Sequence, residues 1–171
     1  MTTLQQKRTE KVIFTAFQEL LDQKPFSKIT VNDITAQALM HRSTFYTHFT
    51  DKFDLLDRFL RNLFPDSTIN AQAIYEHPFT AFSLKNDQVL AVLQYQSRDD
   101  TFRNGLFRFM IHMILQLPSD KTELEKFFII GRVKAITMWI SETHQPYDIL
   151  TDYAYLDEIY QTGRLPDAKH D

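Results

Sequence analysis

Apolar side chains recur along most of this chain at helical spacing. In RTEKVIFTAFQELLDQ, Val12, Ile13, Ala16, Phe17, Leu20 and Leu21 fall at i, i+1, i+4, i+5, i+8 and i+9, one stripe on a helix over about 5–22. Pro25 breaks that pattern, because proline biases the residue before it away from helical angles. Thr30 is a suitable N-cap for a second helix over 31–38, with Val31, Ile34 and Ala38 on its inner side. After the short turn LMH comes HRSTFYTHF, residues 41–49, with Phe45 and Phe49 four apart and hydrogen-bonding side chains at nearly every other position. Thr50 or Asp51 can cap the next helix, KFDLLDRFLRNLF. Its inward residues are predicted as Phe53, Leu56, Leu60 and Leu63 or Phe64, and Pro65 ends it.

The pattern loosens over 66–85 and then resumes. Residues 87–96 predict a helix with Val89, Leu90, Leu93 and Tyr95. Residues 99–117 predict a strongly apolar one, ended by Pro118. Ser119 is the expected cap of the longest helix, whose first turn is acidic, as the positive end of a helix dipole favours. Pro146 is expected to open a last helix that Gly163 closes, and the tail RLPDAKHD is expected to be disordered. The fold class is therefore all-α: an N-terminal helix-turn-helix bundle followed by a larger helical domain. The expected division is 1–50 for the first domain, with the start of a linking helix over 51–64, and 65–171 for the second.

Composition narrows this further. Three Gly and six Pro leave few turn formers, which supports long helices, and 15 Phe supply a sizeable core. No cysteine is present, which excludes a disulfide framework and suits a reducing cytoplasm. No signal-peptide pattern and no apolar run of about 18 residues occurs, so neither secretion nor a membrane span is expected. The net charge of −3 argues against a non-specific polycation, although the first 60 residues are slightly basic and the remainder acidic.

A helix, a turn of three or four residues and a second short helix have the spacing of a helix-turn-helix. The stretch TVNDITAQALMHRSTFYTHFTDKFDLL, residues 30–56, resembles the DNA-binding signature of the TetR/AcrR family of transcriptional regulators, through Thr30, Ile34, Ala38, Thr44, Phe45, Tyr46, His48 or Phe49, Lys52 and Leu55. Leu39 departs from it. The family usually has glycine at this turn, so leucine implies either another turn geometry or an energetic cost from a positive φ. The resemblance implies that Thr30, Asn32, Arg42, Ser43, Thr44, Tyr46, Thr47, His48 and Lys52 contact DNA. Their chemistry suits that task. Arg42 can bridge guanine O6 and N7, Ser43 and Thr44 permit close approach, and Thr47 can touch a thymine methyl or a phosphate. Tyr46 and His48 reach flanking phosphates, and Lys52 sits where free helix amides already attract an anion.

In the remainder of the chain, Phe127, Phe128, Gly131, Ala135, Met138 and Trp139 run along the longest helix, with Ile149, Tyr153 and Leu156 on the last one. These stripes are the expected homodimer interface, since two half-sites of a palindromic operator on double-stranded DNA need two heads. The region resembles the short, aromatic-rich C-terminal part of some family members from low-GC Gram-positive bacteria. The resemblance also implies an effector pocket, for which Tyr75, Phe79, Tyr95, Phe102, Leu106, Phe109, Met110 and Met113 are candidates. Their character favours a small apolar or aromatic effector. His41 and His48 share a face but gain no third ligand, so no metal is expected. His112 reads as a core residue, and Asp99–Asp100 and Asp157–Glu158 as helix starts or wet faces. No nucleophile elbow, phosphate loop or zinc signature appears, so no enzyme activity and no cofactor is expected. The expectation is a cytoplasmic, ligand-responsive homodimeric repressor. The alternative is a protein-interaction or co-activator module on the same scaffold without operator binding of its own.

Overall fold

The computed structural model describes residues 4–64, 70–83 and 86–165. All regular structure among them is helical. In chain order the helices are α1 (Leu4–Gln23), a 3₁₀ turn (Phe26–Lys28), α2 (Val31–Gln37), α3 (Arg42–Tyr46), α4 (Lys52–Leu63), α5 (Ala71–Glu76), α6 (Pro78–Ala81), α7 (Asp87–Gln96), α8 (Asp100–Gln116), α9 (Glu123–Thr143) and α10 (Tyr153–Thr162). Pro65 and residues 166–171 of the tail lie outside the described residues.

Two compact units divide the chain, one formed by residues 1–63 with 88–109, the other by 64–87 with 110–171. The polypeptide thus passes between units after Leu63, after Asp87 and within α8 after Phe109, where a single boundary near 64 was expected from the sequence.

In the first unit, Ile13, Phe17 and Leu21 of α1 are buried with Phe26, Ile34, Phe45, Phe49, Leu55, Leu56 and Phe102. Phenylalanine rings meet edge to face, Phe17 with Phe59 at 5.5 Å and Phe14 with Phe49 at 5.7 Å between centroids. Each buried ring stabilises by about 1.5–3 kcal/mol over its exposed state, so this cluster anchors the short helices around it. On α4 the buried stripe is Leu55, Leu56, Phe59 and Leu60; Leu56 and Leu60 were predicted, as was Phe64, buried just beyond the helix, whereas Leu55 and Phe59 were not. Phe53 is largely exposed and instead lays its ring against Phe26 at 5.5 Å. Asp51 is the residue that caps α4, accepting from the amides of Phe53 and Asp54 at 2.8 and 2.9 Å.

In the second unit, Phe79, Val133, Ile136, Ile140, Leu156, Ile159 and Tyr160 form a buried cluster. Asp157, expected on a wet face, is buried there and accepts from the amides of Phe79 (2.9 Å) and Thr80 (3.1 Å). Lys126 is buried too, its ammonium donating to the carbonyls of Leu115 and Leu117 at 3.2 and 2.7 Å, at the end of α8. The cap of α9 is Thr122 rather than Ser119. Glu125 stands three residues after Thr122 and closes a reciprocal capping box, while the Ser119 hydroxyl pairs with that of Tyr75 at 2.8 Å. The last helix begins at Tyr153, well after Pro146. Asp148 and Asp152 accept backbone amides from Leu150 and Asp148 at 2.8 Å each, and these local bonds hold the intervening residues in turns. Gly163 closes α10 at φ 67°. His112 lies exposed on α8, not in a core.

A candidate nucleic-acid interface

The helix-turn-helix is α2 and α3. At the start of α2 the Thr30 hydroxyl accepts from the Asp33 amide (3.1 Å), while the Asp33 carboxylate takes both the amide (2.8 Å) and the hydroxyl (2.7 Å) of Thr30. These two bonds from Thr30, reinforced by the Lys24 ammonium at 3.0 Å, hold the Asp33 carboxyl down at about 2. At the other end of α2, the amide of Met40 bonds the carbonyl of Thr35 (3.0 Å) and that of Leu39 bonds Ala36 (3.2 Å). That pair is a Schellman closure with Leu39 in the position glycine normally takes. Leu39 has φ 52° and is 93% exposed. The turn keeps the geometry a glycine would give it, so the expected alternative that survives is the energetic cost.

α3 is a short rod of five residues whose Phe45 is buried, and Phe49 just beyond it is buried as well. Arg42, Ser43, Tyr46 and Thr47 are exposed on its outer side and Thr44 is half-buried. The Arg42 guanidinium donates to Asn32 Oδ1 at 3.1 Å and to the Tyr46 hydroxyl at 2.9 Å, and lies 5.5 Å from the Tyr46 ring centroid. One side chain from α2 and one from α3 thus hold Arg42 in place, and three of its five N–H donors remain for another partner. The Thr47 hydroxyl donates to the Thr44 carbonyl at 2.7 Å.

Two predicted contacts are placed differently. His48 turns inward and sets Nδ1 3.5 Å from the Glu10 carboxylate of α1, which also lies 3.8 Å from Arg58. Lys52 directs its ammonium at three carbonyls, those of Phe26 (3.0 Å), Ser27 (3.3 Å) and Ile29 (2.8 Å), and stands 4.7 Å from the Phe26 ring centroid. Burial lowers the Lys52 ammonium, against the opposing pull of Asp99 and Asp33. Neither side chain therefore presents its polar group outward as a phosphate ligand would.

Sequence reasoning missed the partners of that turn. Gln96 Oε1 accepts from the Phe26 amide at 2.8 Å, and Asp99 Oδ2 from the Ser27 amide at 2.6 Å. Gln96 is fully buried and also donates to the carbonyls of Leu21 and Lys24 at 2.6 and 3.0 Å. Burial alone would raise the Asp99 carboxyl, but the bonds from Ser27, Phe102 and Thr101 outweigh it and leave the group below its ordinary value. The available signal was a glutamine on the buried stripe of α7, with Val89, Val92 and Leu93.

The eight predicted pocket residues do not share one unit. Tyr95, Phe102, Leu106 and Phe109 belong to the first, Tyr75, Phe79, Met110 and Met113 to the second. Phe102 is buried with its ring 6.1 Å from Phe26, and Phe79 lies in the core cluster of the second unit. An open cavity of about 510 Å³ in the second unit is lined by none of them, but by residues of α9 and α10 that include Arg132, Ile136, Trp139 and Ile159. Of the predicted interface, Leu156 is fully buried in its own core, with Ile149, Tyr153 and Trp139 packed against it. Phe127, Phe128, Gly131, Ala135 and Met138 are exposed. Among the described residues no three His, Asp or Glu side chains gather as metal ligands, and no helix is long and apolar enough to cross a membrane.

Comparison with known proteins agrees with the helix-turn-helix geometry. Residues 13–59, which span most of α1, all of α2 and α3, and much of α4, match the family described as bacterial regulatory proteins, tetR family. A relative from Lactococcus lactis subsp. lactis (strain IL1403), the HTH-type dhaKLM operon transcriptional activator DhaS, is 29% identical over 99 residues. That alignment covers 58% of this chain and 49% of the relative, so the chain spans about half the length of the curated relative it matches. A solved structure described as the dihydroxyacetone kinase operon activator DhaS overlays with a TM-score of 0.45 at 20% identity, covering 90% of each chain. The capped α2, the turn closed at Leu39 and the aromatic-anchored α3 all lie inside the matching segment, so residues 13–59 are similar to the tetR family of bacterial regulatory proteins.

Proposed function

We propose that the protein is a sequence-specific DNA-binding regulator that acts as a homodimer on a palindromic operator and responds to a small molecule. The observation that carries this reading is the outer flank of α3, where Arg42 is held by Asn32 and Tyr46 over two buried phenylalanines. A guanidinium held in this way loses little freedom when it meets guanine O6 and N7, a contact worth about 1–3 kcal/mol of base discrimination. Ser43, Thr44 and Thr47 complete the surface facing the groove, while Thr30, both of whose donors go to Asp33, caps α2 rather than meeting a phosphate.

Dimerisation is supported by α9. Leu124, Phe128, Gly131, Ala135 and Met138 alternate four and three apart, which aligns them on one side of the helix. Leu124 and Phe128 are 66% and 70% exposed, and a Cβ built on Gly131 would meet nothing within 4 Å. A second copy can therefore approach closely there. For the effector, the cavity beside Ile136 and Trp139 replaces the predicted lining, and its volume lies within the usual range for small-molecule sites. An apolar or aromatic molecule fits its walls. Repression needs only occupancy of a promoter by the dimer, and we retain it as the sign of regulation. Activation, the role named for the Lactococcus relative, needs a further protein contact.

Selection of duplexes from a random pool, followed by gel retardation, tests the reading. A shared palindromic sequence is expected, with half-sites about one helical turn apart. A folded dimer that selects nothing at low salt would indicate the protein-interaction module instead. A reporter carrying the selected site then gives the sign.

A further inference from the structure

The 3₁₀ turn Phe26–Lys28 connects α1 to α2, and side chains from later in the sequence engage it on both sides. Gln96 and Asp99 accept its amides, Lys52 donates to its carbonyls and to that of Ile29, and Ile29 directly precedes the Thr30 cap. An ammonium has three N–H donors, and three carbonyls lie within 3.3 Å of this one. Asp99 is similarly committed. One carboxylate oxygen accepts from Ser27, the other from Thr101 and Phe102 at the start of α8.

We propose that Lys52, Gln96 and Asp99 form a clasp that fixes the direction in which α2, and with it α3, leaves α1, and that Lys52 supports DNA binding through this clasp rather than by meeting a phosphate. The proposal rests on the DNA-binding reading and assigns Lys52 as a positioning residue within it. Two features separate the clasp from a charge effect. A phosphate ligand contributes to the salt dependence of binding, and a positioning residue does not. Removing the Asp99 charge would strengthen binding if charge alone mattered. The single oxygen of asparagine cannot serve both the turn and the start of α8, so the clasp requires weaker binding.

The test uses full-length Lys52→Gln, Lys52→Met and Asp99→Asn proteins and a duplex that the wild type selects from a random pool. Affinity is titrated across salt concentrations, and amide hydrogen exchange is followed at Phe26, Ser27 and along α2 in the free protein. Lys52→Gln keeps a donor, so it reports even where Lys52→Met does not fold. Affinity is expected to fall by about tenfold at every salt concentration in all three variants, on log–log lines parallel to that of the wild type. Exchange at the turn and α2 should accelerate by a similar factor. A slope shallower by about 0.9 in Lys52→Gln with unchanged exchange would overturn the clasp, because it marks one neutralised phosphate. Tighter binding by Asp99→Asn would overturn it too. If the wild type selects no duplex, the DNA-binding reading fails, and exchange still decides the clasp, since unchanged protection at Phe26 and Ser27 refutes it.

Discussion

Leu39→Gly should stabilise the protein. The leucine sits at φ 52°, where a Cβ crowds the following carbonyl at a cost of about 1–2 kcal/mol. Glycine removes that cost but brings a more disordered unfolded chain, which offsets about 0.5–1 kcal/mol. With the side chain 93% exposed, almost no apolar contact is lost. The balance is a gain of about 0.5–1 kcal/mol, or a rise in Tm of about 1–4 °C for a chain of this length. The only tryptophan, Trp139, lies in the second unit, so its fluorescence reports the wrong region. Hydrogen exchange along α2 and thermal melting by circular dichroism are the suitable assays. Leu39→Ala is the control: it keeps a Cβ, hence the strain, and should stay within about 0.5 kcal/mol of wild type. Equal stabilisation by alanine and glycine, or a loss with glycine, would refute the assignment of strain to this φ.

Arg42→Ala should relax base preference at one position of each half-site. Asn32→Ala or Tyr46→Phe should do so only while Arg42 is present, a non-additivity that a double-mutant cycle on duplex binding would read. The Asp33 carboxyl is lowered from 3.8 to about 2 on folding. Its contribution to stability is therefore complete above about pH 4 and lost as pH falls through about 2, and Asp33→Asn should flatten acid unfolding of α2 in that window. Asp157→Ala should cost about 2–3 kcal/mol by leaving the Phe79 and Thr80 amides without an acceptor in a buried setting, measured by melting with Trp139 as probe. Phe128→Asp should yield a folded monomer in sedimentation, whereas an unchanged dimer would place the interface elsewhere.

What could be read from the sequence was what local chemistry decides. The Thr30 cap follows from a Thr with Asp three residues on and the burial of Phe45 and Phe49 from their spacing, while at Leu39 the sequence left another turn geometry or a strained positive φ open, and the backbone has the second. What was missed depended on partners far along the chain. Lys52 looked like a free cation at a helix start until three carbonyls more than twenty residues earlier accepted its N–H groups, and His48 likewise met Glu10. Gln96 and Asp99 act 70 and 72 residues from the amides they hold, a relation no periodicity encodes. The starts of α9 and α10 slipped because two hydroxyls competed for one cap and two aspartates stabilised turns beside Pro146. The pocket residues were chosen as one apolar group, but α8 passes from one unit to the other within that group.

The first unit is built from two separated stretches, 1–63 and 88–109. A chimera that grafts only the opening 63 residues onto a foreign domain would carry α2 and α3 without Gln96 and Asp99, leaving the Phe26 and Ser27 amides without acceptors at about 1–3 kcal/mol each. The opening stretch is expected to keep its turn between α1 and α2 in such a chimera only when residues 88–109 travel with it.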